Sequence, residues 1–316
     1  MLTSVCCIAA VLSLLTGTTP IPLPAALAAL FGHGETAHIL IMQELRLPRT
    51  LLAGCIGAGL GASGAALQGY TRNGLAAPGI LGFSACASLG AVIALYSGLD
   101  QWVPVTALVG AAVGVILIMF MTGVRKGAAT LVLAGVGLGA LATALTGLIM
   151  NFAPNPWALS EIVYWMMGSL RNADMGALYI CAPLTLPGLV CLIFIGQDLK
   201  TLSLGELTAQ SLGVSVVRVQ TLVVTGVALC VGSGVAVAGS IGFVGLFIPH
   251  ILRMAIGADP AKLIGYSALG GAGFLICADT LARLMSGPGT TLYLGILTSL
   301  IGVPFFLWLA VREVRA

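Results

Sequence analysis

Apolar runs of about twenty residues, broken by short polar segments, repeat along the whole chain. A helix needs about 20 mostly apolar residues to cross the hydrocarbon layer of a membrane. Ten stretches have that character: 1–19, 50–69, 79–97, 103–122, 128–150, 177–196, 219–239, 241–257, 263–281 and 292–311. The pattern predicts an all-α membrane protein. It is a single domain over 1–316, a polytopic bundle of about ten transmembrane helices with short loops. The stretches 241–257 and 263–281 carry Pro249, His250, Arg253 and Asp279, so they are the least expected to be simple straight helices. Met1–Thr19 has neither the basic start nor the clear small-residue cleavage site of a signal peptide, and a retained first span is expected.

Composition supports lipid as the solvent. Of 316 residues, 59% are hydrophobic and only 7% charged, against about 25% charged in soluble domains. The 43 glycines suit membrane helices, whose small residues let backbones approach closely. Gly57-Ala58-Gly59-Leu60-Gly61 with Gly64 forms one such face, and Gly135 with Gly139 repeats the spacing in another run. The eight cysteines form no C-x-x-C pair and lie in apolar runs, as small buried hydrophobes do. A net charge of +3 is too small to suggest nucleic acid.

The charges also orient the bundle. Nine basic residues (Arg72, Arg125, Lys126, Lys200, Arg218, Arg253, Lys262, Arg312 and Arg315) fall on the side shared by both termini. Four, Arg46, Arg49, Arg171 and Arg283, fall on the other. The positive-inside rule then places both termini in the cytoplasm of a multi-pass inner-membrane protein.

One polar segment stands apart. Leu204-Gly205-Glu206-Leu207-Thr208-Ala209-Gln210-Ser211-Leu212-Gly213 reads as a short cytoplasmic helix, with Glu206 near its start and Gly213 at its end. Leu204, Leu207, Ser211 and Leu212 share a face. A small apolar face without the Lys/Arg and aromatics of a lipid-lying helix favours docking in a partner's groove.

Six segments, in order, carry a resemblance. They are LRLPRTLLAGCIGAGLGASGAALQGYTRNGLAAPGILG (45–82), YWMMGSL (164–170), LGELTAQSLGV (204–214), GSIGFVGLFIPHILRM (239–254), ADTLARL (278–284) and LGILTSLIGVPFFLWLA (294–310). Nearly the whole chain resembles the FecCD-type permeases of bacterial ABC importers, which take up iron chelates, haem and vitamin B12. The resemblance implies a ten-span permease working as a homodimer or with a related permease. Cytoplasmic ABC ATPase subunits and a periplasmic or lipid-anchored substrate-binding protein would be its partners, with membrane lipid around it. Residues 201–216 would be the coupling segment, with Leu204, Gly205, Glu206, Thr208, Ala209, Ser211, Leu212 and Gly213 at the ATPase. Arg46, Arg49 and Arg283 would dock the binding protein. For Arg49 the alternative is snorkelling; for Arg283 it is a pair with Asp279 four residues earlier.

Asn73 and Leu75 would fall at the cytoplasmic gate, where Gly74 replaces the family's usual proline and loosens the turn. The ligand pathway would be lined largely by the second and fifth spans. ATP and Mg would be bound by the partner ATPase, with no cofactor in this chain; no G-x-x-x-x-G-K-[ST] occurs in it. No catalytic constellation stands out, and His250 reads as structural. His33, Glu35 and His38 are spaced for a metal ion, as short polar loops often are by chance. Two rivals remain: an ion-coupled secondary transporter, and an intramembrane enzyme using Asp279 and His250. Within the importer class, a ferric siderophore leads as cargo, ahead of haem and a corrinoid.

Overall fold

The computed structural model describes residues 2–17, 19–123, 127–287 and 290–314. Arg125, Lys126 and Arg315, three of the residues behind the expected orientation, lie outside the described residues. The described residues are helical throughout, apart from loops and one isolated bridge between Gly287 and Thr290.

The helices are, in chain order, α1 (Leu2–Leu15), α2 (Leu23–Leu30), α3 (Thr36–Leu40), α4 (Leu47–Thr71), α5 (Phe83–Tyr96), α6 (Val103–Thr122), α7 (Ala128–Asn151) and α8 (Pro156–Met166). There follow α9 (Met175–Phe194), α10 (Gly196–Leu202), α11 (Glu206–Ser211), α12 (Val216–Ala238), α13 (Val244–Ile256), α14 (Pro260–Met285) and α15 (Leu294–Val314). Each of the ten predicted stretches holds a helix. Among the described residues, six helical rods are long and apolar enough to cross a membrane: those ending in α4 and α6, and α7, α9, α12 and α14. α1, α5 and α13 are shorter apolar helices, and α15 is apolar over Leu294–Trp308. A π-helical turn over Ile41–Arg46 joins α3 to α4, giving one rod from Thr36 to Thr71.

Local chemistry sets several boundaries. Asn155, Asp174, Ser215 and Asp259 cap the starts of α8, α9, α12 and α14 by accepting the backbone N–H of the second or third helical residue. α12 ends at Gly239, whose φ of +69° only glycine adopts freely. The predicted run 241–257 starts late: residues 239–243 are unwound, Phe243 sits at φ +65°, and the helix begins at Val244. It continues through Pro249. α2, α3, α8 and α10 lie where the hydrophobic pattern predicts only connections.

α4 forms the centre, with 78% of the best apolar stretch of its rod buried inside the chain. It packs against α14, α9, α12 and α13. The α4–α14 seam is backbone on backbone. A Cβ on Gly57 would fall on the Gly271 carbonyl, and one on Gly61 on the Ser267 carbonyl. The second predicted small-residue face also packs closely, with Gly135 against Leu81 and Gly139 against Gly82. The outer helices behave oppositely. Only 28% of the apolar stretch of α7 and 22% of that of α9 is buried. Leu133, Val136, Leu141 and Leu148 of α7 are exposed, as side chains meeting lipid or another subunit would be. The burial of α4 corrects the expectation that the second span is a main wall of the pathway.

Gly61→Leu forces α4 and α14 apart, because backbone cannot yield as a flexible side chain does. It is expected to abolish monodisperse protein in detergent and to lower the thermal transition. Gly137→Ala, with nothing within 4 Å of the added methyl, is expected to match or exceed the parent.

Candidate functional site

Two polar ends flank the bundle. At one end Arg46, Arg49, Arg171 and Arg283 line a single hollow of about 640 Å³. Asp279 lies beneath it, 1% exposed. Arg49 grips both Asp279 oxygens: Nε donates at 3.1 and 2.9 Å and Nη2 at 2.9 Å. Arg283 Nε lies 3.2 Å from the same carboxylate, one helical turn away on α14. Its Nη2 donates to Ser13 Oγ at 2.6 Å, which brings in α1. One buried acid thus ties α4 to α14, and a pair of arginines holds it. Both proposed alternatives are informative here. Arg283 does make the i, i+4 pair, whereas Arg49 is fixed by an ion pair rather than snorkelling.

Arg46 differs from the expectation of a free rim charge. It is 5% exposed. Its Nη1 donates to the carbonyls of Leu14 and Leu15 at 2.9 and 3.3 Å, and its Nη2 to that of Thr19. These include the last carbonyls of α1, which have no partner within the helix and attract a cation. Arg46 is therefore a staple between α1 and the start of α4.

At the other end, α11 projects from the bundle between α10 and α12. It is shorter than the predicted helix. Gly205, at φ +109°, turns the chain into it, and Gly213, at φ +88°, turns it out. The Val214 N–H closes the end on the Ala209 carbonyl at 2.9 Å. Leu207 is 83% exposed, and Leu204 and Leu212, which flank the helix, are 64% and 62% exposed. Thr208, Ser211 and Gly213 share that outer surface. Ala209 does not: it is fully buried and seats the helix on the bundle, which corrects its assignment to the ATPase contact. The half-buried Glu206 turns toward Gly127 at the start of α7, where the helix dipole favours an anion. Nearby, Lys200 Nζ bonds Asp259 Oδ2 at 2.9 Å and holds that carboxyl below its usual range.

The Arg72–Leu75 turn is at this same end. Arg72 sits at φ +53°, and Asn73 Oδ1 accepts the Leu75 N–H at 2.9 Å. Leu75 is exposed. Gly74 makes room beside the turn: a Cβ there would lie 2.8 Å from Arg253 Nη1. Arg253 Nη2 in turn donates to Gln68 Oε1 at 2.7 Å, tying α13 to α4. Elsewhere, His38 Nδ1 lies 3.6 Å from Glu35. The ring of His250 packs edge-on against Phe305 and Phe306.

With this geometry in view, likeness to known proteins places the chain. Residues 5–312 match the FecCD transport family. The hemin transport system permease of Yersinia pestis is 39% identical, over 86% of this chain and 84% of that one. The Fe(3+) dicitrate transport system permease of Escherichia coli is 37% identical, over 96% of this chain and 94% of that one. A solved inward-facing metal-chelate type ABC transporter superposes with a TM-score of 0.89 at 31% identity, covering 98% of this chain and 97% of that one. The chain belongs to the FecCD transport family. It is an integral membrane permease of the ABC-importer type, as the sequence resemblance implies.

Asp279→Asn leaves Arg49 and Arg283 without a counter-charge. Breaking a buried ion pair on one side costs about 3–5 kcal/mol, so the thermal transition in detergent is expected to fall clearly. An unchanged transition would mean that the cluster adds nothing to stability.

Proposed function

We propose that this chain is the membrane subunit of a binding-protein-dependent importer that carries a bulky metal chelate inward. The observation that carries this reading is the division of labour between the two ends. One end exposes an apolar patch, Leu204, Leu207 and Leu212, on a short helix fixed from behind by Ala209. Such a patch suits a protein groove. The opposite end gathers four arginines around one hollow, which suits an acidic partner surface.

In this reading α11 lies in the cytoplasm against an ABC ATPase, which binds ATP and Mg. Both termini are cytoplasmic, the four arginines face outward, and the ten apolar helices each cross the cytoplasmic membrane. A substrate-binding protein docks on the outer hollow through Arg49 and Arg283, with Arg46 supporting the surface from within. Two permeases, identical or related, enclose the ligand between exposed apolar faces such as that of α7. Closure of the ATPase pair moves α11, and the Asn73–Leu75 turn, joined to α13 through Arg253 and Gln68, switches the inner gate. The related permeases named for hemin, vitamin B12 and ferric dicitrate all handle metal chelates. A ferric siderophore is the leading cargo, with haem or a corrinoid next.

The test is purification from the native membrane under iron limitation, with partners identified by mass spectrometry. The parent is expected to bring down an ATPase and a binding protein. Leu207→Asp, or deletion of 204–212, is expected to lose the ATPase by about tenfold or more, as removal of a central apolar anchor does, yet remain in the membrane. A parent that purifies alone in a detergent preserving a control importer would overturn the reading.

A further inference from the structure

The sequence gives Arg171 no role beyond its sign, and no motif of the resemblance extends to it. The structure holds its backbone firmly. Gly168, at φ +70°, packs against the unwound Ser240. Its carbonyl accepts the Leu294 N–H at 3.0 Å, and the Ser169 N–H donates to the Ala238 carbonyl at 2.8 Å. Leu170 is buried, and the Ala173 N–H closes a turn on the Leu170 carbonyl at 3.2 Å. Ser169 Oγ accepts the Arg171 N–H at 3.0 Å. Asp174 then starts α9. The side chain at the tip of this braced turn is exposed.

The charges of the hollow are unequal in what they can offer. Arg46 is spent on helix carbonyls. Arg49 and Arg283 share Asp279, and their side chains are 20% and 15% exposed. An incoming carboxylate must compete there with a resident one. Arg171 has a neutral partner only: its Nη1 donates to Thr291 Oγ1 at 3.0 Å, and its remaining guanidinium N–H groups make no bond among the described residues. Among the described residues, no acidic side chain lines the hollow beside it. A cleft lined by one sign of charge concentrates the field on its opening, and Arg171 is the exposed member.

We propose that Arg171 is the first docking cation of this surface, and that it meets an aspartate or glutamate on the substrate-binding protein. This rests on the importer reading above. It assigns long-range capture to Arg171, leaving Arg49 and Arg283 to set register once the partner is seated. A rigid turn suits the task, because a pre-positioned fork loses little freedom on pairing.

The test uses the permease–ATPase complex in nanodiscs and the binding protein that purifies with it, with association followed at several salt concentrations. Arg171→Glu is expected to slow association about tenfold and to flatten its salt dependence, as loss of a steering charge does. Arg171→Gln, which keeps a side chain able to bond Thr291, is expected to move the same way by less. Arg171→Lys is expected to keep most of the salt dependence. Reversing one acidic residue of the binding protein is expected to restore capture by Arg171→Glu. Association of Arg171→Glu and Arg171→Gln at the parental rate and salt dependence would overturn this proposal and leave the importer reading standing. A parent complex that binds no binding protein would take both down.

Discussion

The seam between α4 and α14 is the contact on which the rest of the structure depends. Along it, Gly57, Gly61 and Gly271 bring backbone against backbone, so dispersion rather than water exclusion supplies the attraction in a lipid solvent. At its arginine-lined end the seam closes on Asp279, gripped by Arg49 from α4 and by Arg283 from α14 itself. A lone buried carboxylate at this depth would be costly, and two guanidiniums make it tolerable. The opposite end of α4 meets α13 through Gln68 and Arg253 and then turns at Asn73. A single central rod therefore touches both ends at which partners are expected.

The helices were legible because lipid demands long apolar runs, and every predicted run holds a helix. The glycine faces were legible too, since their spacing survives in one helix; their partners were not. Gly57 meets Gly271 and Gly64 meets Gly245, contacts set by the fold rather than by any local period. The same limit hid the Arg49–Asp279 pair, whose members stand 230 positions apart. The Arg283–Asp279 pair, four residues apart on one helix, was readable. Arg46 looked like its neighbour Arg49, yet a π-helical turn directs it at the end of α1. α2 and α8 escaped because eight and eleven residues are too few to register as spans. The apolar face of α11 was readable from spacing. The burial of Ala209 within that segment needed the bundle it sits on.

Family membership makes the chain a permease of the ABC-importer type, and the proposed reading draws its power from a separate ATPase. The polar clusters described above, around Asp279 and around Gln68 and Arg253, hold helices together. Asp279 and His250, the pair on which an intramembrane enzyme would rely, are separated in role: the acid is locked by two arginines, and the imidazole packs among phenylalanines. The unwound stretch 239–243 resembles the broken helices of secondary carriers, but here Ser240 packs closely against Gly168 and against Gly295 at the start of α15.

The most direct measurement is uptake into proteoliposomes containing the permease, its ATPase and its binding protein, with radiolabelled ferric siderophore, hemin and cyanocobalamin as cargoes. The account predicts uptake of one chelate that requires ATP and both partners and persists when ionophores collapse every ion gradient. Uptake driven by an ion gradient, with the permease alone and no ATP, would contradict it.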